Sequence, residues 1–575
     1  MVVPKLSPEL SIAKGIPLEE QPGIGPLTIS GYLREVVRRH GPHEALVIHS
    51  GELRIAWTYD ELLERALAVA RSLIASGVGK NGRVAILMTN RPEFVAALFG
   101  TVLAGGVPVP LSTFSTGPEL DQLLRASEVS VLLFEQLVVD KNFADLLIQL
   151  EPAIGTAAPS NLASAKYPYL KHLVRVGPLH PDGDAEGPRR DGAIESWQVF
   201  LQRGDAIAEA QVLARADAVT PGDIGGIFFS SGTTSTPKGI IHAQRAFAIQ
   251  WWRWSWMMAT TSRVRVWTGN GLFWSANAVM VLGIALSTGG AIVLQRYFDA
   301  EEALKLVEAE KVSFLQGRPH QWARLQAAPN WAATDLSTVK FITRGELIRE
   351  HPTVDTDWEV PMAFGTTETM TLCTGFPADT PRNECLGSCG APFPGNTLKI
   401  IDPLTAEVKP LREPGEMCIK GPTLMMGYIG KTPEACFDSE GFYRTGDGGW
   451  LDEQGRFFWE GRLTSMIKTG GANVSPEEVD EAIRRFPGIK RSQTVGLPDD
   501  LLGEMVVACV VPIEDIALSR DEITAFLKKH LASFKVPRRI LFVRDEDIRF
   551  TGSGKIKLHE LRSLAIQKLI SETKI

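Results

Sequence analysis

Two apolar runs, Ile224 to Phe229 and one opening at Ile240-Ile241-His242, flank a segment of small, hydroxylated and glycine residues that ends in a lysine. That segment reads Ser230-Ser231-Gly232-Thr233-Thr234-Ser235-Thr236-Pro237-Lys238-Gly239, and it must form a loop held between ordered elements. Its composition suits a polyphosphate. Glycine lets backbone N–H groups approach phosphate oxygens, the hydroxyls add donors, Pro237 stiffens the exit and Lys238 supplies a cation. A nucleoside triphosphate is the ligand this chemistry implies. The loop is not the strand–loop–helix phosphate motif, because here the lysine precedes a glycine instead of following one. Read alone, it is also compatible with a flexible connector.

Length and composition exclude several classes. At 575 residues the chain exceeds a single core, and its 44% hydrophobic and 22% charged content is that of an ordinary globular protein. A net charge of −7 gives no general attraction to nucleic acid or anionic membrane, so any phosphate binding is local. Six scattered cysteines fit a reducing compartment and a cytoplasmic location. Cys385 and Cys389 resemble half a metal site, but no second Cys or His pair at zinc-ligand spacing follows, and they read as structural. Met1 to Gly23 lacks the pattern of a secretory signal. The nearly uncharged stretch Phe273 to Leu294 reads as a buried helix ending near Ser287, a glycine turn and a strand from Ala291 to Gln295, in preference to a membrane span.

Helical and strand patterns alternate through the first half. Tyr59 to Ser76 and Pro92 to Ala104 carry helical periodicity, while Arg83 to Met88 and Val107 to Pro110 read as strands. This rhythm predicts an α/β fold of parallel sheets covered by helices. The Pro/Gly/Ala-rich region 152–217 breaks the rhythm and reads as an insertion or surface excursion. After Gly461-Arg462-Leu463-Thr464-Ser465 the pattern changes again. A helix from Glu477 to Arg485, a strand from Val506 to Pro512 and a helix from Asp521 to Leu531 predict a compact α+β terminal domain. A second glycine loop, Thr551-Gly552-Ser553-Gly554-Lys555-Ile556, closes it.

Three clusters join the first loop. Phe364-Gly365-Thr366-Thr367-Glu368 follows the short apolar segment Val360 to Ala363, expected as a strand, and its carboxylate could hold Mg²⁺ beside phosphates. Tyr443-Arg444-Thr445-Gly446-Asp447 places a carboxylate after a tight turn, where it could accept hydrogen bonds from ribose hydroxyls. Gly461-Arg462 adds a fork of donors. Each alone reads equally well as a Thr-Glu helix cap, a Gly-Asp turn or a solvated arginine.

Taken together and in this order, the motifs resemble the adenylate-forming superfamily of acyl-CoA synthetases, peptide-synthetase adenylation domains and firefly-type luciferases. The resemblance runs from Trp57-Thr58-Tyr59-Asp60-Glu61-Leu62 to Lys555. It includes Gly415-Glu416-Met417-Cys418-Ile419-Lys420-Gly421, Gly427-Tyr428 and Lys468-Thr469-Gly470-Gly471-Ala472-Asn473-Val474. It implies a large N-terminal domain (1–461) of helix-covered sheets with subdomains, a hinge (462–465) and a small mobile C-terminal domain (466–575). It implies a two-step reaction with ATP, Mg²⁺ and CoA: a carboxylate attacks the α-phosphate to give an acyl-adenylate, and a thiol then takes the acyl group.

By that resemblance Thr233, Thr234 and Lys238 hold the departing phosphates, with Ser231, Gly232, Gly365, Thr366 and Thr367 as further nucleotide contacts. Glu368 and Thr233 bind Mg²⁺, Asp447 and Arg462 hold the ribose, and Lys555 stabilises charge at the reacting groups. Gly470 and Gly471 line a thiol channel in the second step, after the small domain has rotated. His242, Phe273, Trp274 and Gly345 fall in the substrate pocket. The segment from Lys468 most resembles a freestanding acyl-CoA ligase, with a separate carrier protein, an adenylation-only enzyme or a non-catalytic binding protein as alternatives, and a homodimer is possible. Thr464 replaces the usual hinge Asp or Lys, Ser235 replaces a glycine, and Phe273-Trp274 stands where relatives carry Phe-His. In Thr343-Arg344-Gly345-Glu346, Arg344 and Glu346 depart from the Ser-Gly-Gly-Ala of relatives. The aromatic residues Trp251, Trp252, Trp254 and Trp256 either wall an apolar acid or pack the core.

Overall fold

The computed structural model describes residues 9–179, 190–230, 237–260, 262–342, 346–356, 358, 361–385, 387–463, 466–513, 516–548 and 558–573. Two six-stranded sheets form the frame of the large domain. In the first, Ile194–Ser196, His172–Val176, Val131–Glu135, Arg83–Leu87 and Val107–Pro110 run parallel, in that spatial order, with Arg190–Asp191 antiparallel at the edge. In the second, Phe341–Ile342, Phe314–Gln316, Arg265–Thr268, Ala291–Leu294 and Glu44–Ser50 run parallel, closed by the antiparallel strand Leu53–Thr58. Parallel strands need crossovers, and the intervening sequence supplies helices with apolar faces. The helix Pro92–Leu103 is buried along its whole length and packs in one core with Tyr59–Ala75, Gln244–Met257 and Ser275–Ser287.

Phe273 to Leu294 resolves into the helix Ser275–Ser287 and the buried strand Ala291–Leu294, as the glycine pair between them predicts. Among the described residues no helix is long and apolar enough to cross a membrane. A third, five-stranded antiparallel sheet is built from Ile12–Lys14, Thr397–Ile401, Gly415–Lys420, Tyr443–Leu451 and Phe457–Arg462. The small domain follows with a sheet of its own, beginning at Ile467–Thr469. The helices Pro476–Arg484 and Arg520–His530 cover one face of it and Leu558–Thr573 the other, giving two separate cores.

Region 152–217 is not an excursion. It supplies His172–Val176, a fully buried strand between Val131–Glu135 and Ile194–Ser196. Its polar residues disguise it in the sequence, but each has a partner inside. Arg175 donates to Gln136 Oε1 at 2.6 Å, and His172 Nδ1 lies 3.1 Å from Arg203 and 3.2 Å from the Ser160 hydroxyl. Of the strand expected at Val360 to Ala363, Val360 lies outside the described residues and 361–363 are not strand; the strand begins at Phe364 and runs to Thr366, and Pro361 has no N–H to give a ladder.

Burial, together with the positive charge of Arg203, pushes the His172 imidazole down from the ordinary histidine value to about 4. The folded chain therefore keeps it neutral while the unfolded chain takes up a proton first. Stability is full above the ordinary value, falls as the pH drops from about 6.5 towards 4, and levels off below. With partial solvent access allowed for, the effect is about 2 kcal/mol. His172→Gln is expected to flatten the acid limb of urea-unfolding stability by roughly that amount.

Candidate active site

The strands Ile224–Ser230 and Lys238–Ala243 pair antiparallel with Ser230 opposite Lys238, so the hydroxyl-rich loop springs from a closed hairpin mouth. Ser231, Gly232, Thr233, Thr234 and Ser235 lie outside the described residues. Lys238 is placed at the exit. Its ammonium stands 5.7 Å from the ring centre of Tyr428, which the short strand Gly427–Tyr428 brings alongside Ile240 and Ile241. The Tyr428 hydroxyl donates to Glu368 Oε1 at 3.0 Å and lies 3.1 Å from the Tyr443 hydroxyl. Lys238 and Glu368, 130 residues apart in the sequence, thus converge on one tyrosine. Burial and the neighbouring Lys431 lower the Lys238 pKa, and Glu368 opposes the shift.

Glu368 sits in a tightly specified turn between the strands Phe364–Thr366 and Thr371–Gly375. Two and three residues on, Met370 and Thr371 have φ of 53° and 78°, the second an unusual conformation for a β-branched residue. Three interactions hold this backbone. The Thr366 N–H donates to the Thr369 hydroxyl at 2.9 Å, and the Met425 N–H to the Glu368 carbonyl at 2.7 Å. Gln250, buried in the helix Gln244–Met257, donates its side-chain amide to the carbonyls of Met370 at 2.8 Å and Leu372 at 2.7 Å. Gly365 is required by space, since a Cβ there would fall 1.7 Å from the Thr371 carbonyl oxygen. Thr367 faces Ser275, at 3.5 Å between hydroxyls. His242 is fully buried between Phe228 and Phe247, behind the Thr367 backbone, and burial pushes its imidazole down to about 3.

Asp447 and Arg462 are register partners on the paired strands Tyr443–Leu451 and Phe457–Arg462. The Asp447 carboxylate is buried, and its Oδ1 accepts a hydrogen bond of 3.0 Å from the Trp459 indole. In the small domain Gly470 and Gly471 form the turn between Ile467–Thr469 and Ala472–Val474, with φ of 54° and 83°. This turn lies against the large domain. A Cβ on Gly471 would come within 2.4 Å of the Arg318 guanidinium, and one on Gly470 within 3.2 Å of the His320 ring.

Phe273 and Trp274 are presented by a loop that Asn90 pins from the other sheet, donating to the Asn270 carbonyl at 2.9 Å and accepting from the Leu272 N–H at 2.8 Å. Their rings lie 5.5 Å apart and border a cavity of about 70 Å³ whose walls include Leu111, Leu123, Phe229 and Phe534. Trp251 and Trp252 take no part in it: their indoles donate to the Ala278 and Pro26 carbonyls within the core, where Trp254 is also buried. Gly345, Thr464 and Lys555 lie outside the described residues. Sequence reading quoted Tyr428 and Tyr443 only as parts of motifs and passed over Gln250, Asn90 and Trp459. Only the exposed Trp459, next to Gly461-Arg462, carried a signal of its own.

The AMP-binding enzyme family matches residues 33–429, and the AMP-binding enzyme C-terminal domain matches 478–555. The chain belongs to the AMP-binding enzyme family. It is similar to a methyl-dioxo-octahydroindenyl-propanoyl:CoA ligase of Mycobacterium tuberculosis, 30% identical over 93% of this chain and 99% of that one. It is 29% identical to a mitochondrial medium-chain acyl-CoA ligase of Danio rerio, over 94% and 89% of the two chains. Among solved structures, the amide bond synthetase McbA of Marinactinospora thermotolerans shares the fold with a TM-score of 0.72, at 24% identity over 93% of this chain and 99% of that one. This AMP-binding enzyme is therefore an adenylate-forming ligase with a large N-terminal and a small C-terminal domain.

In this AMP-binding enzyme, Gln250→Met keeps the helix and side-chain volume but orphans the Met370 and Leu372 carbonyls beneath Glu368. A loss of about 3 kcal/mol in the urea-unfolding stability of the large domain is expected, from two buried acceptors left without donors.

Proposed function

We propose that this chain joins a hydrophobic carboxylic acid to CoA in two steps, forming an acyl-adenylate with release of pyrophosphate and then a thioester with release of AMP. The observation that carries this reading is the convergence of Lys238 and Glu368 on Tyr428 at the mouth of the loop-bearing hairpin. In the first step negative charge builds on phosphate oxygens, so a fixed cation and fixed donors are the useful catalysts. Lys238, Thr233 and Thr234 are assigned to the departing phosphates, with Ser231, Gly232, Gly365, Thr366 and Thr367 around them. Asp447 and Arg462 are assigned to the ribose, which their cross-strand pairing supports. Lys555 is assigned to the reacting carboxylate and α-phosphate.

The residues at Glu368 suit Mg²⁺. Among the described residues Glu368 enters no ion pair, and no cluster of three or more His, Cys, Asp or Glu could hold a metal by itself. One carboxylate beside a triphosphate is the usual provision for this ion. Glu368 and Thr233 would hold it, and bound there it would neutralise phosphate charge.

Residues 1–461 form the adenylating part in this reading, 462–465 the hinge and 466–575 the part that changes role between steps. The glycine turn against Arg318 and His320 supports an orientation suited to the second step, in which Gly470 and Gly471 line the thiol channel. The neighbouring rings of Phe273 and Trp274 support a hydrophobic acid. Both curated relatives are named for CoA ligation of such acids.

Pyrophosphate release across a panel of aromatic, alicyclic and medium-chain acids, with and without CoA, tests the reading. Release with an apolar acid, followed by AMP and acyl-CoA once CoA is added, is expected. Acyl-adenylate that persists in the presence of CoA would overturn the second step. Lys555→Ala is expected to lower pyrophosphate release at least about a hundredfold, the scale of a lost electrostatic catalyst. Undiminished release by that variant would overturn the assignment of Lys555.

A further inference from the structure

Lys535 belongs to no motif used above, yet it is buried where the two domains meet. Its ammonium lies 2.8 Å from Glu119 Oε1 and 2.7 Å from Glu478 Oε1. The two acids differ in kind. Glu478 stands on the helix Pro476–Arg484 of the small domain, so its bond to Lys535 persists however that domain is oriented. Glu119 stands on the large-domain helix Gly117–Ser127, 416 residues away in the sequence, so its bond exists in one orientation only. Glu119 Oε1 also accepts from the Ala532 N–H at 3.1 Å, while Oε2 caps its own helix through Thr116. The Thr116 hydroxyl in turn donates to the His530 carbonyl at 3.3 Å. The ring of Phe534, next to Lys535, meets Trp274 edge-on at 5.5 Å.

We propose that the Glu119–Lys535 pair is the latch that holds the small domain with its Gly470–Gly471 turn against Arg318 and His320, making Lys535 a positioning residue for thiol transfer and not for adenylation. The physics suits a reversible latch. In the docked orientation the charges are buried and must be paired, so a misaligned small domain would leave Glu119 desolvated and uncompensated. On opening, both partners return to water, so release costs far less than parting an apolar interface of the same area. Glu478 keeps the ammonium aimed at the seam in either state. The latch also sets Phe534 against Trp274, so the same docking closes the aromatic border of the cavity.

The proposal rests on the two-step reading above, and its test separates the two. Lys535→Met, Lys535→Arg and Glu119→Gln are compared with the parent chain in ATP–pyrophosphate exchange, in single-turnover thioester formation after CoA addition, and in small-angle X-ray scattering. Lys535→Met is expected to leave exchange within about twofold and to slow thioester formation by at least about tenfold, a typical coupling between distinct sites. Lys535→Arg is expected to retain both steps, because it keeps the charge. Scattering is expected to show a larger radius of gyration for Lys535→Met and Glu119→Gln than for Lys535→Arg. Equal loss of both steps in Lys535→Met, which a merely structural lysine would give, overturns the proposal, and so does no loss in either. If no acid supports exchange, the two-step reading fails on its own. The scattering then decides the latch, and an unchanged radius in Lys535→Met overturns it.

Discussion

The hydrogen bonds from the Gln250 side chain to the carbonyls of Met370 and Leu372 tie the rest of the site together. They fix a backbone that would otherwise relax, since Met370 and Thr371, two and three residues after Glu368, both hold positive φ. Gln250 lies on the helix that follows the strand Lys238–Ala243 without a break. One continuous segment therefore delivers the cation at the loop exit and, one helix later, the group that aims the carboxylate towards it. The same helix buries Trp251 and Trp252 in the main core, so the strain at Glu368 is opposed by packing on the opposite side.

Around this centre the remaining groups come from the antiparallel sheet and from the small domain. Asp447 and Arg462 are partners across the last two strands of the antiparallel sheet, just before the small domain's first strand. The small domain touches the large one at two places of opposite character. At one, glycine backbone packs against Arg318 and His320, and at the other the buried Glu119 and Lys535, the half-buried Glu478 and a ring pair meet. Neither is a broad apolar surface, which suits the reorientation proposed for the second step.

What the sequence revealed and what it hid follow from the physics. Glycine and hydroxyl clusters mark backbone conformations and close approaches that few other residues permit, which is why Gly365, Gly470 and Gly471 could be singled out: Gly365 lies against backbone that excludes a side chain, and Gly470 and Gly471 hold positive φ. Alternating periodicity located Pro92–Leu103, Val107–Pro110 and Ser275–Ser287. It failed at His172–Val176, where buried polar residues with partners from distant segments imitate a surface. The supporting hydrogen bonds were illegible for the same reason. Gln250 meets Met370 across 120 residues and Asn90 meets Leu272 across 182, and nothing periodic in a chain encodes such a pairing.

The central claim is that a substrate carboxylate attacks the α-phosphate at the site formed by Lys238, Glu368 and the loop between them. The most direct measurement follows isotopically labelled oxygen from the carboxylate of an accepted acid into products, read by mass spectrometry of the nucleotide. Label in the AMP released, with none in pyrophosphate, is the result this account predicts. Label in orthophosphate or pyrophosphate, or unlabelled AMP, would contradict it.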